Sequence, residues 1–261
     1  MASAIVSGLL SSKFLTPDQL WVSGRNPQTQ AKFADMGVNA QFDNVAAAGW
    51  ADVLVLAVKP HGIRPLLAEL DSAGVLAGKL VVSIAAGLTC AQLQSAAPST
   101  SLAVVRVMPN TAVSVGAGAV VLSGGEFANG KQVELIRLAF SKLGCALVIP
   151  EHLIDAATGI SGSGIAYLFV IMEAMADGGV LSGLPRATAQ TLAAATVSGA
   201  AAMVAKSGQH PGALKDGVCS AGGATIAALH EMEKSGVRAT MMTAVQTVAK
   251  RCEEMSRAAE E

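Results

Sequence analysis

Short runs of apolar residues alternate with helical patterns through the first half of the chain. The run at 53–58 is apolar throughout, which is typical of a parallel strand buried on both faces of a sheet. Strands are predicted at 20–23, 53–58, 80–85, 102–107, 117–122 and 146–149. Helices are predicted at 1–10, 29–36, 63–70 and 89–96. This order of elements predicts an α/β domain with a doubly wound parallel sheet.

The strand pattern stops at residue 151, and helical spacing continues to the end of the chain. Helices are predicted at 165–179, 185–207, 225–235 and 237–255. In the last of them, one stripe at helical spacing is apolar, formed by Met241, Ala244, Val245, Val248, Cys252 and Met255. We therefore predict two domains, an α/β domain at 1–150 and an all-helical domain at 151–261.

The composition changes this picture by pointing to an oligomer. Apolar residues make up 52% of the 261 residues and charged residues only 14%, whereas about 25% charged residues is usual. A surface so poor in charge is expected to be buried between subunits. The net charge of −1 argues against a nucleic-acid-binding protein.

One uncharged stretch, 187–205, is long enough to cross a bilayer. It consists mostly of Ala with Thr, Ser, Gln and Gly, and such a segment partitions weakly into lipid. We interpret it as a helix buried in an oligomer rather than as a membrane span. No targeting segment is recognised at the start of the chain. The cysteines show no metal-ligand spacing with the histidines, so free thiols in the cytoplasm are expected, and no metal.

A glycine turn precedes the predicted helix at 225–235. Gly222 and Gly223 allow a ligand to approach the backbone closely. The free N–H groups and the positive end of the helix dipole would then converge on an anion. The Thr225 hydroxyl either caps the helix or faces that ligand. Taken alone, the segment fits an ordinary capped helix as well as an anion site.

Unusual turns also follow several predicted strands, where ligands bind in doubly wound sheets. The segment 20–23 takes the place of the second strand of such a fold. It ends at Ser23 and is followed by Arg25, without the acidic residue that selects NAD at this point. This favours NADP, although an ordinary loop explains the segment equally well. The turns at 57–61, 83–87 and 108–111 occupy corresponding positions after the later strands. Three unusual turns at the same position of the fold are stronger evidence for a ligand site than any one of them alone.

Several motifs, taken in chain order, together resemble pyrroline-5-carboxylate reductase. They lie at 57–60, 108–111, 159–164, 183–186, 210–211 and 218–225, and the resemblance runs from residue 1 to about residue 256. It implies an N-terminal Rossmann-type domain and a helical C-terminal dimerisation domain, with dimers that often assemble into decamers. It also implies reduction of Δ1-pyrroline-5-carboxylate to L-proline with NADPH or NADH.

The resemblance assigns residues to two sites. Those expected to contact the dinucleotide are Ser23, Arg25, Asn44, Ala57, Val58, Lys59, Pro60, Ala85, Ala86 and Gly87. Those expected to hold the substrate carboxylate with backbone N–H groups are Gly223, Ala224 and Thr225. The Thr225 hydroxyl would bond the ring nitrogen, which makes it the expected catalytic residue, and positioning would carry most of the rate enhancement.

The chain departs from the family pattern at several positions. The first strand and its glycine fingerprint are missing, with only Met1 and Ala2 corresponding to its end. A truncated gene model or transcript would explain this most simply, and it predicts a sheet without its central strand and without a pyrophosphate cradle. Gly217 stands where some members have Asn. Ile165 and Ala221 replace prolines, and both changes are expected to be tolerated.

Two alternatives follow from these observations. Because the pyrophosphate-binding turn is missing, the chain could be a catalytically impaired oligomeric subunit. A related β-hydroxyacid-type dehydrogenase would share the two-domain plan, but it requires a catalytic lysine in the helical domain. The lysines near that site are Lys206 and Lys215, and neither lies in such a motif.

Overall fold

The computed structural model describes residues 1–258 and divides the chain into two compact units. Unit 1 contains Met1–Ser163 together with the chain from Gln246 onward, and unit 2 contains Gly164–Val245. The division between the units therefore lies later than residue 150. The predicted domains at 1–150 and 151–261 stay a prediction of how functions divide along the chain, and they do not coincide with the two compact units.

Unit 1 alternates strands and helices as predicted. Its strands are β1 (Trp21–Ser23), β2 (Asn39–Gln41), β3 (Val53–Leu56), β4 (Leu80–Ser83), β5 (Ala103–Met108), β6 (Gly118–Gly124) and β7 (Gly144–Val148). Its helices are α1 (Ala2–Ser11), α2 (Pro27–Ala34), α3 (Asn44–Trp50), α4 (Ile63–Ser72), α5 (Cys90–Ser95), α6 (Gly130–Ser141) and α7 (Ile154–Ile160). Short 3₁₀ helices cover Pro17–Gln19, Pro60–Gly62, Thr111–Val115 and Glu151–Leu153.

The strands form two separate sheets rather than one. β1 and β2 pair in parallel as a two-stranded sheet, and the other five lie in the order β3-β4-β5-β6-β7. Within the larger sheet β5 and β6 are antiparallel, and the other neighbours are parallel. The predicted Rossmann-like α/β class with a parallel sheet is confirmed, and the β5–β6 pair is an antiparallel addition to it. Within residues 1–258 no strand precedes α1.

The prediction that the run at 53–58 is buried on both faces is wrong. Leu56 is buried, but Val55 is 46% exposed and Val58 is also 46% exposed. The reason is that β3 is an edge strand, bonded to β4 on one side only. Val58 lies beyond the end of the strand.

Two apolar clusters cover the opposite faces of the five-stranded sheet. Leu80 and Val82 belong to the first cluster and Val81 to the second, as the alternation of side chains along β4 requires. Helix α1 contributes Ile5 to the first cluster, and it contributes Val6 to a third cluster that includes residues of β1 and β2. Thus α1 packs against both sheets.

Unit 2 is helical, as predicted. It contains α8 (Gly164–Leu181), α9 (Arg186–Ser207), α10 (Pro211–Gly217), α11 (Ala224–Lys234) and the start of α12 (Val237–Ala258). Its buried cluster is small and consists of Ala176, Ala189 and Ala193, with Met172 and Val180 packed against it. Pro185 lies at the N-cap of α9, immediately before the first turn.

Two helical segments pass the length and hydropathy test for a membrane span, Glu151–Leu181 and Arg186–Ser207. Within the chain only 6% and 11% of their most apolar stretches are buried. One or two such helices are weak grounds for a membrane protein. The second segment contains 187–205, which was expected to be buried in an oligomer, and the chain by itself leaves it largely uncovered.

Candidate functional site

Three turns lie at one edge of the five-stranded sheet. The register places Leu56 of β3 beside Ser83 of β4, and Ser83 beside Arg106 of β5. Because these three strands are parallel, the segments that follow them leave the sheet at the same edge. The structure thus brings together the predicted turns at 57–60, 85–87 and 108–111.

The turn after β3 presents an exposed positive charge. Ala57, Val58 and Lys59 are exposed, and Pro60 is half-buried at the start of a 3₁₀ helix. A lysine held on a proline-restricted turn at this edge suits an anionic ligand, because Pro fixes the backbone while the ammonium stays accessible.

The turn after β4 is narrow and tightly held. Ala85 and Gly87 are buried and Ala86 is half-buried, and the Ala85 N–H donates to Ser83 Oγ over 3.4 Å. Gly87 has φ +74°, a left-handed conformation that favours glycine. All three side chains are small, which suits the close approach of a flat ring, and of the three only Ala86 is partly exposed.

Two residues predicted to contact the dinucleotide touch each other at the end of β1. The Ser23 hydroxyl donates to Asn44 Oδ1 over 2.8 Å, and Asn44 is the first residue of α3. The Asn44 amide donates in turn to Glu69 Oε2 over 3.3 Å. The guanidinium of Arg25 lies over the ring of Phe42, 5.6 Å from its centroid. The sequence prediction named neither Glu69 nor Phe42.

In unit 2 the glycine turn begins helix α11. Gly222 has φ +67°, Gly223 is the N-cap, and no side-chain hydrogen bond caps the described helix. Thr225 therefore does not cap α11, and both Ala224 and Thr225 are exposed. This excludes the capping role for the hydroxyl, and its role toward a ligand stays a prediction.

One backbone donor of the predicted substrate site has a partner within its own turn. The N–H of Gly223 donates to the Ser220 carbonyl over 3.0 Å, so it is already used within the turn. The N–H groups of Ala224, Thr225 and Ile226 lie in the first helical turn, where the helix supplies no acceptors. The N–H groups left without a helical acceptor are thus those of 224–226, and binding of a substrate carboxylate at 223–225 stays a prediction.

The sequence analysis missed a buried ion-pair cluster in unit 1. Arg106 is 1% exposed, and its guanidinium lies 2.7 Å from Asp155 Oδ1 and 3.6 Å from Glu151 Oε1. Glu151 also accepts the N–H of Cys90 over 2.7 Å. Burial and the neighbouring Glu151 carboxylate raise the pKa of the Cys90 thiol to about 12. This cluster ties β5 to α5 and α7.

Asn110 was also missed as a structural residue of its motif. It is 8% exposed, donates to the Ser161 carbonyl over 3.0 Å, and accepts the N–H groups of Ala112 and Ala119. Its amide thus holds the turn after β5 against the end of α7. Within residues 1–258, no group of three or more His, Cys, Asp or Glu residues could hold a metal ion.

Comparison with known families gives two matches, one near the start of the chain and one in its second half. Residues 1–87 match a family described as NADP oxidoreductase, coenzyme F420-dependent. Residues 151–255 match the pyrroline-5-carboxylate reductase dimerisation family. The two long apolar segments that the chain leaves largely uncovered, Glu151–Leu181 and Arg186–Ser207, thus lie in the part that matches a dimerisation domain.

Individual proteins agree with these matches over nearly the full chain. A pyrroline-5-carboxylate reductase of Arabidopsis thaliana is 42% identical over 98% of this chain and 92% of its own length. The solved reductase of Coxiella burnetii has a TM-score of 0.90 and 34% identity, with 98% of this chain and 94% of that chain covered.

A third match is to a structure with a bound dinucleotide. The Plasmodium falciparum pyrroline carboxylate reductase, solved with NADP bound, has a TM-score of 0.87 and 30% identity, with 97% of this chain and 94% of that chain covered. These matches do not favour the impaired subunit or the β-hydroxyacid-type dehydrogenase. This chain belongs to the pyrroline-5-carboxylate reductase family.

Proposed function

We propose that this chain is an NAD(P)H-dependent oxidoreductase that reduces Δ1-pyrroline-5-carboxylate to L-proline, the last step of proline biosynthesis. The observation that carries the proposal is the N-terminus of α11, which has no side-chain cap and is preceded by Gly222 and Gly223. The relatives of this chain are named pyrroline-5-carboxylate reductases. Pyrroline-5-carboxylate carries a carboxylate, which is the kind of group that a helix N-terminus binds.

The substrate is a small ring that carries a carboxylate and an imine. We assign the carboxylate to the N–H groups of Ala224, Thr225 and Ile226, where unpaired donors and the helix dipole both favour an anion. We assign the bond to the ring nitrogen to the Thr225 hydroxyl, which is exposed. A protonated imine is already electrophilic, so these residues orient it rather than supply a strong acid.

The residues of unit 1 fit two parts of a dinucleotide. The small turn at 85–87 suits the nicotinamide ring, and the bonded pair of Ser23 and Asn44 suits the adenosine ribose. Arg25 supplies a positive charge for a 2′-phosphate, which supports NADPH, with NADH as the second donor. When bound, the dinucleotide supplies the hydride that reduces the C=N carbon.

The pyrophosphate is the part of the cofactor that the described residues fit least. Within residues 1–258, α1 begins at Ala2 and no strand and glycine turn lead into it. The exposed Lys59 and the N-terminus of α1 offer positive charge to a phosphate. We therefore derive no step through a pyrophosphate cradle.

We further propose a cytoplasmic homodimer that assembles to a decamer. The uncovered apolar helices of unit 2 lie within the match to a dimerisation family. A second copy of the chain would cover these apolar side chains, so no lipid is needed to explain them. We also keep the functional division predicted from sequence, with cofactor binding assigned to 1–150 and substrate binding and dimerisation assigned to 151–261.

A Thr225→Val variant tests the substrate site, because valine keeps the shape and removes the hydroxyl. Losing one bond to a charged group is expected to lower kcat/KM for pyrroline-5-carboxylate by about 10- to 100-fold. Thr225→Ser should recover most of the activity. Thr188→Val, in the first turn of α9, serves as the matched control. An unchanged kcat/KM in Thr225→Val would remove Thr225 from the site.

A further inference from the structure

The end of α12 packs against the turn at 85–87, although the sequence separates them by about 170 residues. A Cβ placed on Gly87 would lie 3.1 Å from Met255 Cβ and 3.5 Å from Met255 Cε. Met255 therefore lies directly over a turn whose backbone already has a left-handed conformation at Gly87. Both segments belong to unit 1.

The side chain of Gln92, which follows this turn in the sequence, also contacts α12. Gln92 is 7% exposed, and its Oε1 accepts the N–H of Thr89 over 2.9 Å. The Thr89 hydroxyl accepts the N–H of Gln92 over 3.2 Å, which completes a capping box at the start of α5. The Gln92 amide then donates to the Ser256 carbonyl of α12 over 2.9 Å.

The first part of α5 is held at a third point. Glu151 accepts the N–H of Cys90 over 2.7 Å and pairs with the buried Arg106. Residues 85–92 are therefore fixed by contacts to β5, to the segment before α7 and to the end of α12. Of these contacts, the one between α12 and Gly87 lies within the turn at 85–87 itself.

The geometry points to the end of α12 as a positioning element for the nicotinamide-binding turn, acting through Met255 on Gly87 and through Gln92 on the start of α5. This role rests on the proposed binding of the dinucleotide at 85–87. Met255 and Gln92 are positioning residues, since they hold the turn on which the ring would lie. Loosening them should affect binding of the dinucleotide more than the hydride step.

The chain offers a matched pair of variants for the test. Gln92→Glu keeps the acceptor for the capping box and removes the donor to Ser256. Gln132→Glu makes the same change in the capping box at the start of α6, where Gln132 accepts the Asn129 N–H over 2.9 Å. Met255→Ala tests the contact with Gly87 independently, and Leu135→Ala, at a position 46% exposed on α6 of unit 1, is its control.

Three measurements separate positioning from folding. We expect Gln92→Glu and Met255→Ala to speed hydrogen exchange at the amides of 85–92 about tenfold. We expect them to raise both the Kd and the KM for NADPH about three- to tenfold, with kcat and the KM for pyrroline-5-carboxylate within about twofold of wild type. Gln132→Glu and Leu135→Ala should match wild type in every measurement.

The inference is overturned if Gln92→Glu and Met255→Ala exchange and bind NADPH as their controls do, or if kcat falls while the KM for NADPH stays constant. Failure of the proposed function has a different signature, since the wild-type chain would then not reduce pyrroline-5-carboxylate. Exchange at 85–92 and the Kd for NADPH are measured without turnover, so the two failures are distinguishable.

Discussion

Units 1 and 2 bury their apolar residues to very different extents. In unit 1, two clusters cover both faces of the five-stranded sheet with side chains such as Val81 and Leu122, both fully buried. In unit 2 the buried cluster consists of three alanines, while Phe169 is 58% exposed and Leu181 is 90% exposed. Unit 1 thus buries its large apolar residues within the chain, whereas unit 2 leaves many of its own for a partner.

The largest expected effect lies in the uncovered helices of unit 2. Phe169→Asp should weaken dimerisation roughly a thousandfold or more, because a symmetric interface contains the changed residue twice and burying an unpaired charge is costly. Phe127→Asp, at a position 45% exposed in unit 1, should leave the assembly unchanged. Solution mass measured across a dilution series reports both results. Equal masses for the two variants would contradict the conclusion that unit 2, rather than unit 1, carries the dimer interface.

The second effect concerns the charged cluster inside unit 1. Arg106→Met leaves Glu151 and Asp155 without their cation, and removing one partner of a buried pair costs about 3 kcal/mol of unfolding free energy. Arg137→Met breaks the exposed ion pair with Glu134 on α6, and it should cost less than about 1 kcal/mol. Urea unfolding measures both values. Similar losses for the two variants would show that the burial of Arg106 contributes little.

A third, smaller effect is expected at the glycine turn of unit 2. A Cβ at Gly223 would lie close to Ser220 Oγ and 3.1 Å from the Ser220 carbonyl, so Gly223→Ala must displace the turn. We expect the KM for pyrroline-5-carboxylate to rise about tenfold, with the KM for NADPH unchanged. Gly217→Ala is the control, because its added Cβ meets nothing within 4 Å. A rise in both KM values would indicate a general distortion rather than a local site.

The smallest effect is a difference in thiol reactivity. The Cys90 thiol is buried with its pKa raised to about 12, so it stays protonated where an ordinary thiol, with a pKa of about 8.5, ionises. Burial also raises the pKa of Cys252, whereas Cys145 is exposed. At pH 9, alkylation should label Cys145 first and leave Cys90 unlabelled in the folded chain. Mass spectrometry of peptides tests this order, which rapid labelling of Cys90 would contradict.

Most elements with strong local patterns were predicted from sequence. The apolar runs that became β4 and β5 were correctly identified, since long β-branched runs between helical segments have few alternatives. Strand β2 was missed because its three residues, Asn39–Gln41, form no apolar run. Helix α6 was missed even though the capping box of Asn129 and Gln132 was present in the sequence.

The sites were predictable in part for the same reason. Ser23 and Asn44 were assigned to one site, and the structure places them in direct contact. The ion pairs of Arg106 were not predictable, because its partners Glu151 and Asp155 lie more than 40 residues away along the chain. The contact of Met255 with Gly87 joins two segments of unit 1 that are about 170 residues apart in the sequence, and no local pattern encodes it.

The most direct test of the central claim is NADPH oxidation by the purified chain in the presence of Δ1-pyrroline-5-carboxylate, with the product identified as L-proline. We predict that NADPH consumption requires both the enzyme and the imine, and that one proline forms for each NADPH oxidised. A folded, oligomeric preparation that consumes no NADPH and forms no proline would contradict the account.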